Sequence, residues 1–174
     1  MSAPPQPPQI ETAGQLLLKQ LSKLITIEET LVRAVLPKLK QEAQDEQLEQ
    51  AFADHLEQTK QHVQNVRAAF GELGASPKGG EDKVLDAAKK EREHQVQRLA
   101  PALRDGFNAS TAMGTEHHEI AEYEAAIRLA EALGHDGVSS LLRENLEEEV
   151  QALELLAGHA TRLAEQGAKE PAVR

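Results

Sequence analysis

Hydrophobic residues recur along this chain at alternating spacings of three and four, which is typical of amphipathic α-helices. The pattern predicts helices over residues 12–39, 45–73, 81–99, 101–133 and 138–164. Pro37 lies inside the first of these and predicts a kink or a helix end, because proline lacks the amide hydrogen that a helix interior needs. The segment 81–99 has few apolar residues, so we expect it on the outside. We therefore predict an all-α fold in which four long helices form an antiparallel bundle with one additional shorter helix.

Acidic and imidazole side chains interrupt the apolar faces of these helices. In the first helix, Glu28 lies near the middle of the apolar face and Glu29 lies at its edge, so periodicity favours Glu28 as the inward acid. In the second helix, His55 and His62 lie on the apolar face about two turns apart. These placements need an explanation, because a polar group buried without a partner is destabilising.

The last two long helices carry further candidate acids. Glu116 and Glu119 fall within one narrow arc that also contains Tyr123, so two carboxylates occupy positions where core residues are expected. In the final helix, Glu148 lies on the predicted apolar stripe and Glu149 lies beside it, and both remain candidates. The residues assigned to that stripe are Leu141, Asn145, Glu148, Ala152, Leu155, His159 and Leu163, with Leu142, Glu149 and Leu156 along one side.

The candidate acids and histidines predict a metal site. Antiparallel packing brings the midpoints of four helices to one level, and a cation held between several carboxylates offsets the cost of burying them. Oxygen ligands with imidazole suit iron or manganese, so we predict a carboxylate-bridged site for two such ions. The Glu-x-x-His spacing expected on two helices of such a site is absent. A metal-free alternative therefore stays open, in which protonated His55 and His62 pair with Glu116 and Glu119.

Composition and charge bear on the domain organisation, the possible binding partners and the possible metal ligands of the protein. The 174 residues suit one domain, predicted at residues 12–166 between a proline-rich disordered tail at 1–11 and a short disordered tail at 167–174. The net charge of −10 opposes binding to nucleic acid or to an anionic membrane. Cysteine is absent, so any metal must be held by Asp, Glu and His. We see neither a membrane span nor a signal peptide, and we expect a cytoplasmic protein.

Several short motifs, taken together and in order, resemble a known family. They are Ile27-Glu28-Glu29 ahead of Leu36-Pro37-Lys38-Leu39, Ala51-Phe52 with His55-Leu56-Glu57-Gln58-Thr59, Arg104-Asp105, Glu116-His117-His118-Glu119-Ile120-Ala121-Glu122-Tyr123, and Leu146-Glu147-Glu148-Glu149. In this order they are similar to the YciE/YciF family of ferritin-like bacterial proteins, over residues 14–165. The resemblance implies a ferritin-like helical bundle, often dimeric, in a group associated with bacterial stress responses.

The resemblance also carries expectations about the site. On the family pattern the acid of the first helix is Glu29, so both Glu28 and Glu29 are retained as candidates. Where the family commonly has Glu-Glu-Thr, this chain has a carboxamide at Gln58. Glu116 and Glu119 resemble the paired acids that bind metal in rubrerythrin-type proteins. The leading expectation is a homodimer whose iron or manganese site handles oxygen, peroxide or iron, with peroxidase-like oxidoreductase activity. The alternative is a metal-free structural or scaffolding stress protein with a degenerate site.

Overall fold

The structure is a computed structural model that describes residues 9–169. Within this range the chain forms helices and connecting loops, without a strand, which confirms the all-α prediction. Most of the predicted tails at 1–11 and 167–174 lie outside the described residues. The helical elements in chain order are α1 (Ala13–Thr30), a π-helical turn (Leu31–Val35), α2 (Leu36–Glu42), α3 (Glu46–Glu72), α4 (Lys83–Val96), α5 (Pro101–Ala132) and α6 (Asp136–Gly167).

Local sequence signals explain where the helices begin and end. The side chain of Thr12 accepts a hydrogen bond from the amide of Gln15 and begins α1, while Asp45 begins α3 in the same manner. The loops after α3 and α5 contain Gly74 and Gly134, at φ angles of 64° and 74°. Glycine is favoured there because a Cβ atom is strained in the left-handed region. The predicted helix limits therefore agree closely with the observed ones.

The first helical segment continues through Pro37. The amide of Leu36 donates to the carbonyl of Leu31, which is an i to i−5 pairing and defines the π turn. In an ordinary α-helix the proline ring would crowd the carbonyl of Arg33 and leave it without a donor. The wider turn accommodates the ring, so α1 and α2 form one rod without a break. Of the two outcomes predicted at Pro37, a kink or a helix end, the helix end is therefore not found.

Four rods form the bundle: α1 with α2, α3, α5 and α6. The first rod packs against α3 and α5, and α6 packs against the same two helices, which closes a ring. Lys23 in α1 bonds to Glu122 in the later half of α5, while Asp105 near the start of α5 accepts from the amide of Asp45 beyond α2. Arg162 near the end of α6 bonds to Asp45 at the start of α3. Neighbouring rods are therefore antiparallel.

Helix α4 lies outside this ring, as the sequence predicted, and it packs against α5. Its first residue is preceded by Asp82, whose carboxylate lies 2.8 Å from Nε2 of His118. Near its other end, the buried guanidinium of Arg92 donates to Asn108 of α5 and to Glu42 of α2. Two polar contacts thus tie the connecting helix to the bundle along its length.

The buried apolar residues form two clusters at opposite ends of the bundle. Each fully buried aliphatic side chain contributes about 1.5–3 kcal/mol relative to exposure. On α3, α5 and α6 a short polar segment separates the part that belongs to one cluster from the part that belongs to the other. The first cluster includes Leu17, Leu21, Leu24, Val66, Phe70, Tyr123 and Leu142, and the second includes Leu31, Leu36, Leu48, Phe52, Ala109 and Leu156.

Candidate metal centre

Six buried polar side chains fill the space between the two apolar clusters. All four rods contribute to this set, and no member is more than 6% exposed. Antiparallel packing places the polar segments of the rods at one level, as the sequence predicted. The six, which we call the central cluster, are Glu28 of α1, His55 and His62 of α3, Glu116 and Glu119 of α5, and Glu149 of α6.

The central cluster contains two groups of three residues that share Glu149. In one group, Nδ1 of His62 lies 2.8 Å from Oε1 of Glu149 and 3.7 Å from Oε2 of Glu28. In the other, Nε2 of His55 lies 3.5 Å from Oε1 of Glu116 and 3.6 Å from Oε2 of Glu149. The ligand atoms of each group all lie within 4.8 Å of one another. The two oxygens of Glu149 thus face different imidazoles, as a bridging carboxylate requires.

Most ligand atoms of the central cluster have no hydrogen-bond partner among residues 9–169. They include both carboxylate oxygens of Glu119 and Glu149, and both ring nitrogens of His55. His62 Nδ1 and Glu149 Oε1 are close, but the pair does not meet the angular requirements of a hydrogen bond. Buried polar atoms are nearly always paired, so the unpaired atoms concentrated at this place are available to hold a ligand.

A hydrogen-bonded shell surrounds the His62 end of the central cluster. The hydroxyl of Tyr123 donates to Oε1 of Glu28, and the amide of Asn145 donates to the Tyr123 oxygen at 2.8 Å. Asn65 in turn donates to the carbonyl oxygen of the Asn145 side chain at 2.7 Å. This chain of contacts restricts the orientation of Glu28, which is how residues around a metal site commonly act.

Burial and crowding of like charges shift the pKa values of the cluster. Desolvation raises the pKa of Glu116 and of Glu119 well above the usual range, and neighbouring carboxylates, Glu149 among them, add to both shifts. Desolvation also raises the pKa of Glu149, although His62 opposes that shift. For His62, desolvation lowers the pKa, but the carboxylates of Glu149 and Glu28 outweigh it and raise the pKa to about 11. The metal-free cluster therefore retains protons at neutral pH.

The structure decides between the paired candidates in α1. Glu28 is fully buried, as its position in the apolar stripe predicted. Glu29, which the family pattern favoured, lies outside the central cluster and forms ion pairs with Arg33 at 2.9 Å and Arg67 at 2.8 Å. The expectation that Glu29 faces inward is therefore wrong, because one residue further along a helix turns the side chain by about 100°.

In α6 the predicted stripe is rotated from the observed one. Glu149 is fully buried, whereas Glu148 is half-buried at the rim, with Oε2 2.9 Å from Nε2 of His62. Similarly, Leu156 is buried while Leu155 is 53% exposed. The helix has adjacent apolar residues at both of its ends, so periodicity alone did not fix the inward face. Glu148 is thus a neighbour of the central cluster rather than a member.

Two amides near the cluster were not predicted to act there. Asn145 lies on the predicted α6 stripe with no role assigned by the sequence, and Asn65 is not among the predicted site residues. Both are buried, and Asn145 links Tyr123 to the backbone carbonyl of His62. Their positions on apolar faces, three residues from His62 and four from Glu149, were the available signal.

The fold and the site together define a class of protein: an all-α bundle of four rods with a buried cluster of carboxylates and imidazoles at its centre. The chain belongs to the family described as "Domain of unknown function (DUF892)", whose model matches residues 12–169. It is 30% identical over 142 residues to Protein YciF of Escherichia coli (strain K12), an alignment that covers 80% of this chain and 85% of YciF. The resemblance to the YciE/YciF family is thereby confirmed.

Two solved structures share the fold. YcfI from Rhodopseudomonas palustris, a protein thought to have a structural role, has a TM-score of 0.82 at 33% identity, covering 85% of this chain and 94% of that one. The E. coli stress protein YciF has a TM-score of 0.82 at 28% identity, covering 90% of this chain and 99% of that one. Among residues 9–169 no helix is both long and apolar enough to cross a membrane. The homodimer and the cytoplasmic location stay predictions.

Proposed function

We propose that this protein binds two divalent metal ions, iron or manganese, at the centre of its helical bundle. The observation that carries the proposal is the pair of buried three-residue groups: Glu28, His62 and Glu149 at one end, His55, Glu116 and Glu149 at the other. Most of their ligand atoms lack hydrogen-bond partners among the described residues. An oxygen-rich set with imidazole matches the preference of these metals.

The charge of the central cluster supports the proposal. Its four carboxylates carry four negative charges when ionised, whereas its two imidazoles supply at most two positive charges when protonated. An excess of two negative charges would then be buried, which is costly in a region of low dielectric constant. Two divalent cations with neutral imidazoles would balance the four carboxylates. The metal-free state must instead keep some of its acids protonated, in agreement with their raised pKa values.

Each residue of the central cluster would have a distinct role as a metal ligand. His62 would bind through Nδ1 and His55 through Nε2, since these nitrogens face the carboxylates. Glu149 would bridge, and Glu119 would complete the set with its unpaired oxygens. A bound pair of iron or manganese ions would supply one-electron redox chemistry towards oxygen or peroxide. If the bound metal is iron, the site would also sequester it. The apolar clusters on either side shield the ligands from water at both ends of the bundle.

The relatives suggest when such a site is used. One of them is a bacterial stress protein, which suits a role in handling oxygen, peroxide or iron under stress. A second candidate function is a metal-free scaffold, favoured by the structural role ascribed to YcfI. In that case, protons would occupy the central cluster in place of metal.

Metal binding and stability distinguish the two functions. The chelator-treated protein is reloaded with Mn²⁺, or with Fe²⁺ without oxygen, and its bound metal and thermal midpoint are measured. Free metal at a hundredfold excess over the dissociation constant stabilises a single site by about 2.7 kcal/mol. For a chain of this size, about 2–4 °C per kcal/mol converts this to a rise of roughly 5–11 °C per site.

A matched pair of variants locates the metal. Glu149→Gln removes the shared carboxylate and should abolish both the bound metal and the rise in thermal midpoint. Glu147→Gln makes the same chemical change at an exposed position two residues away and should behave as the parent. Parent protein that retains less than one ion per chain, with a midpoint indifferent to metal and chelator, would refute the proposal and favour the scaffold.

A further inference from the structure

The two ends of the central cluster differ in how their imidazoles are held. At one end, Nδ1 of His62 faces Glu28 and Glu149, while Nε2 lies 2.9 Å from Oε2 of Glu148. An ionised carboxylate only accepts, so this contact orients the ring with its Nε2–H towards Glu148. At the other end, Nδ1 of His55 is buried and lacks a hydrogen-bond partner among residues 9–169. Among the described residues, His62 thus has an orienting carboxylate on its second ring nitrogen and His55 does not.

The two ends also differ in enclosure. The His62 end is closed by the side chains of Tyr123 and Asn145, both of which are fully buried. By contrast, His55 lines a surface cavity of about 250 Å³ between α3 and α6. The side chains that line the cavity beside it include Phe52, Gln58, Gln151, Ala152 and Leu156.

The cavity sets a limit on the size of its occupant. Pockets that bury drug-sized molecules occupy about 300–1,000 Å³, so this cavity suits a smaller molecule. Its walls are mainly apolar, with two carboxamides, Gln58 and Gln151, able to donate and to accept hydrogen bonds, and with the carboxyl group of Asp54 at its edge. A ligand of a few atoms, bearing a lone pair, would meet His55 at the inner side of the cavity.

We propose that the two ends of the central cluster are inequivalent. The Glu28–His62–Glu149 end binds its ion tightly and stays closed, and the His55–Glu116–Glu149 end binds its ion more weakly and accepts a small lone-pair ligand through the cavity. This inference rests on the proposed function. It assigns the small-molecule site of that function to the His55 end, in the way that closed and open coordination positions distinguish structural from catalytic metal sites.

Unequal ligand support predicts unequal affinity. Carboxylate or carbonyl groups that orient a metal-binding histidine commonly change metal affinity by about 10–100-fold. Titration of the metal-free protein with Co²⁺, followed by visible absorption, should therefore show two steps whose dissociation constants differ at least about tenfold. His55→Gln should lose only the weaker step, and Glu148→Gln should weaken the tighter one.

The cavity is tested with a variant that retains every candidate ligand. Ala152→Met extends a longer side chain into the cavity beside His55, and azide is the probe. Azide should alter the absorption of the Co²⁺-loaded parent, and Ala152→Met should lose this change while binding the same amount of Co²⁺. The control is Ala88→Met, which makes the same substitution in a cavity of about 270 Å³ beside α4, away from the cluster. This control should respond to azide as the parent does.

Each outcome bears on one of the two proposals. Parent protein that binds no Co²⁺ contradicts the proposed function itself. Parent protein that binds two ions of equal affinity, or an azide response that persists in Ala152→Met, contradicts the inequivalence and leaves the metal site standing. Circular dichroism of each variant in chelator establishes that it is folded, and Ala152→Met keeps the test valid if His55→Gln does not fold.

Discussion

Raising the pH should destabilise the metal-free protein, because the folded central cluster binds protons that the unfolded chain has already lost. The carboxylates of Glu149 and Glu28 raise the pKa of His62 from 6.5 to about 11 in the folded state. A raised histidine pKa contributes stability that is fully present below the unfolded value and is lost as the pH rises through the folded value. The pKa values of Glu116, Glu119 and Glu149 are also raised in the folded state. Their contribution to stability therefore also falls as the pH rises, beginning at the lower pH where these acids ionise in the unfolded chain.

The magnitude follows from proton linkage. A difference of one bound proton changes the free energy of unfolding by about 1.4 kcal/mol per pH unit. Between pH 7 and pH 9 the unfolded histidine is neutral and the folded His62 is protonated, so this residue alone costs roughly 3 kcal/mol. At about 2–4 °C per kcal/mol for a chain of this size, the thermal midpoint should fall by roughly 6–12 °C.

The measurement is a series of thermal melts in chelator at pH 7, 8 and 9, at constant ionic strength. His62→Gln should reduce the slope, and His94→Gln, at an exposed position on α4, should retain it. Saturating Mn²⁺ should reduce the slope, because metal displaces the protons of its ligands. A midpoint in chelator that is constant or rises from pH 7 to pH 9 would refute the assignment of a proton to the folded cluster.

Three further perturbations test the surroundings of the cluster. Glu119→Gln should raise the thermal midpoint in chelator at pH 8, because it removes a buried carboxylate without hydrogen-bond partners among the described residues; a lower midpoint would argue against the burial cost. Asn145→Ala should lower the free energy of unfolding by about 1–3 kcal/mol in urea, since the Tyr123 oxygen loses its donor and Asn65 Nδ2 keeps only its 3.4 Å contact with Glu144; an unchanged value would contradict this network. Leu24→Ala, at a fully buried site, should cost about 2–5 kcal/mol in the same assay, and a cost below this range would indicate that the core relaxes around the cavity.

The positions of the helices, and the presence of a layer of buried polar side chains in the bundle, were predictable from the sequence alone. A helix repeats every 3.6 residues, so inward positions such as Glu28, His55, His62 and Glu119 could be recognised within their own segments. Capping residues and glycines placed the helix limits for the same local reason. Pro37 was different: a π turn and a helix end both satisfy the constraints of a proline, and local sequence does not separate them.

Only the tertiary structure decided which neighbour of an ambiguous pair faces inward. Glu148 and Glu149 both adjoin the apolar stripe of α6, and packing against α3 and α5 buries Glu149. Glu29 matches the family pattern, yet it pairs with Arg67 of a different helix.

The connections within the central cluster are likewise tertiary. Tyr123 and Glu28 are 95 residues apart, and His62 and Asn145 are 83 apart. Periodicity describes one helix at a time, so it indicates which side chains are buried but not which of them contact each other across helices. The sharing of Glu149 between two imidazoles, and the cavity beside His55, arise from the way separate helices pack.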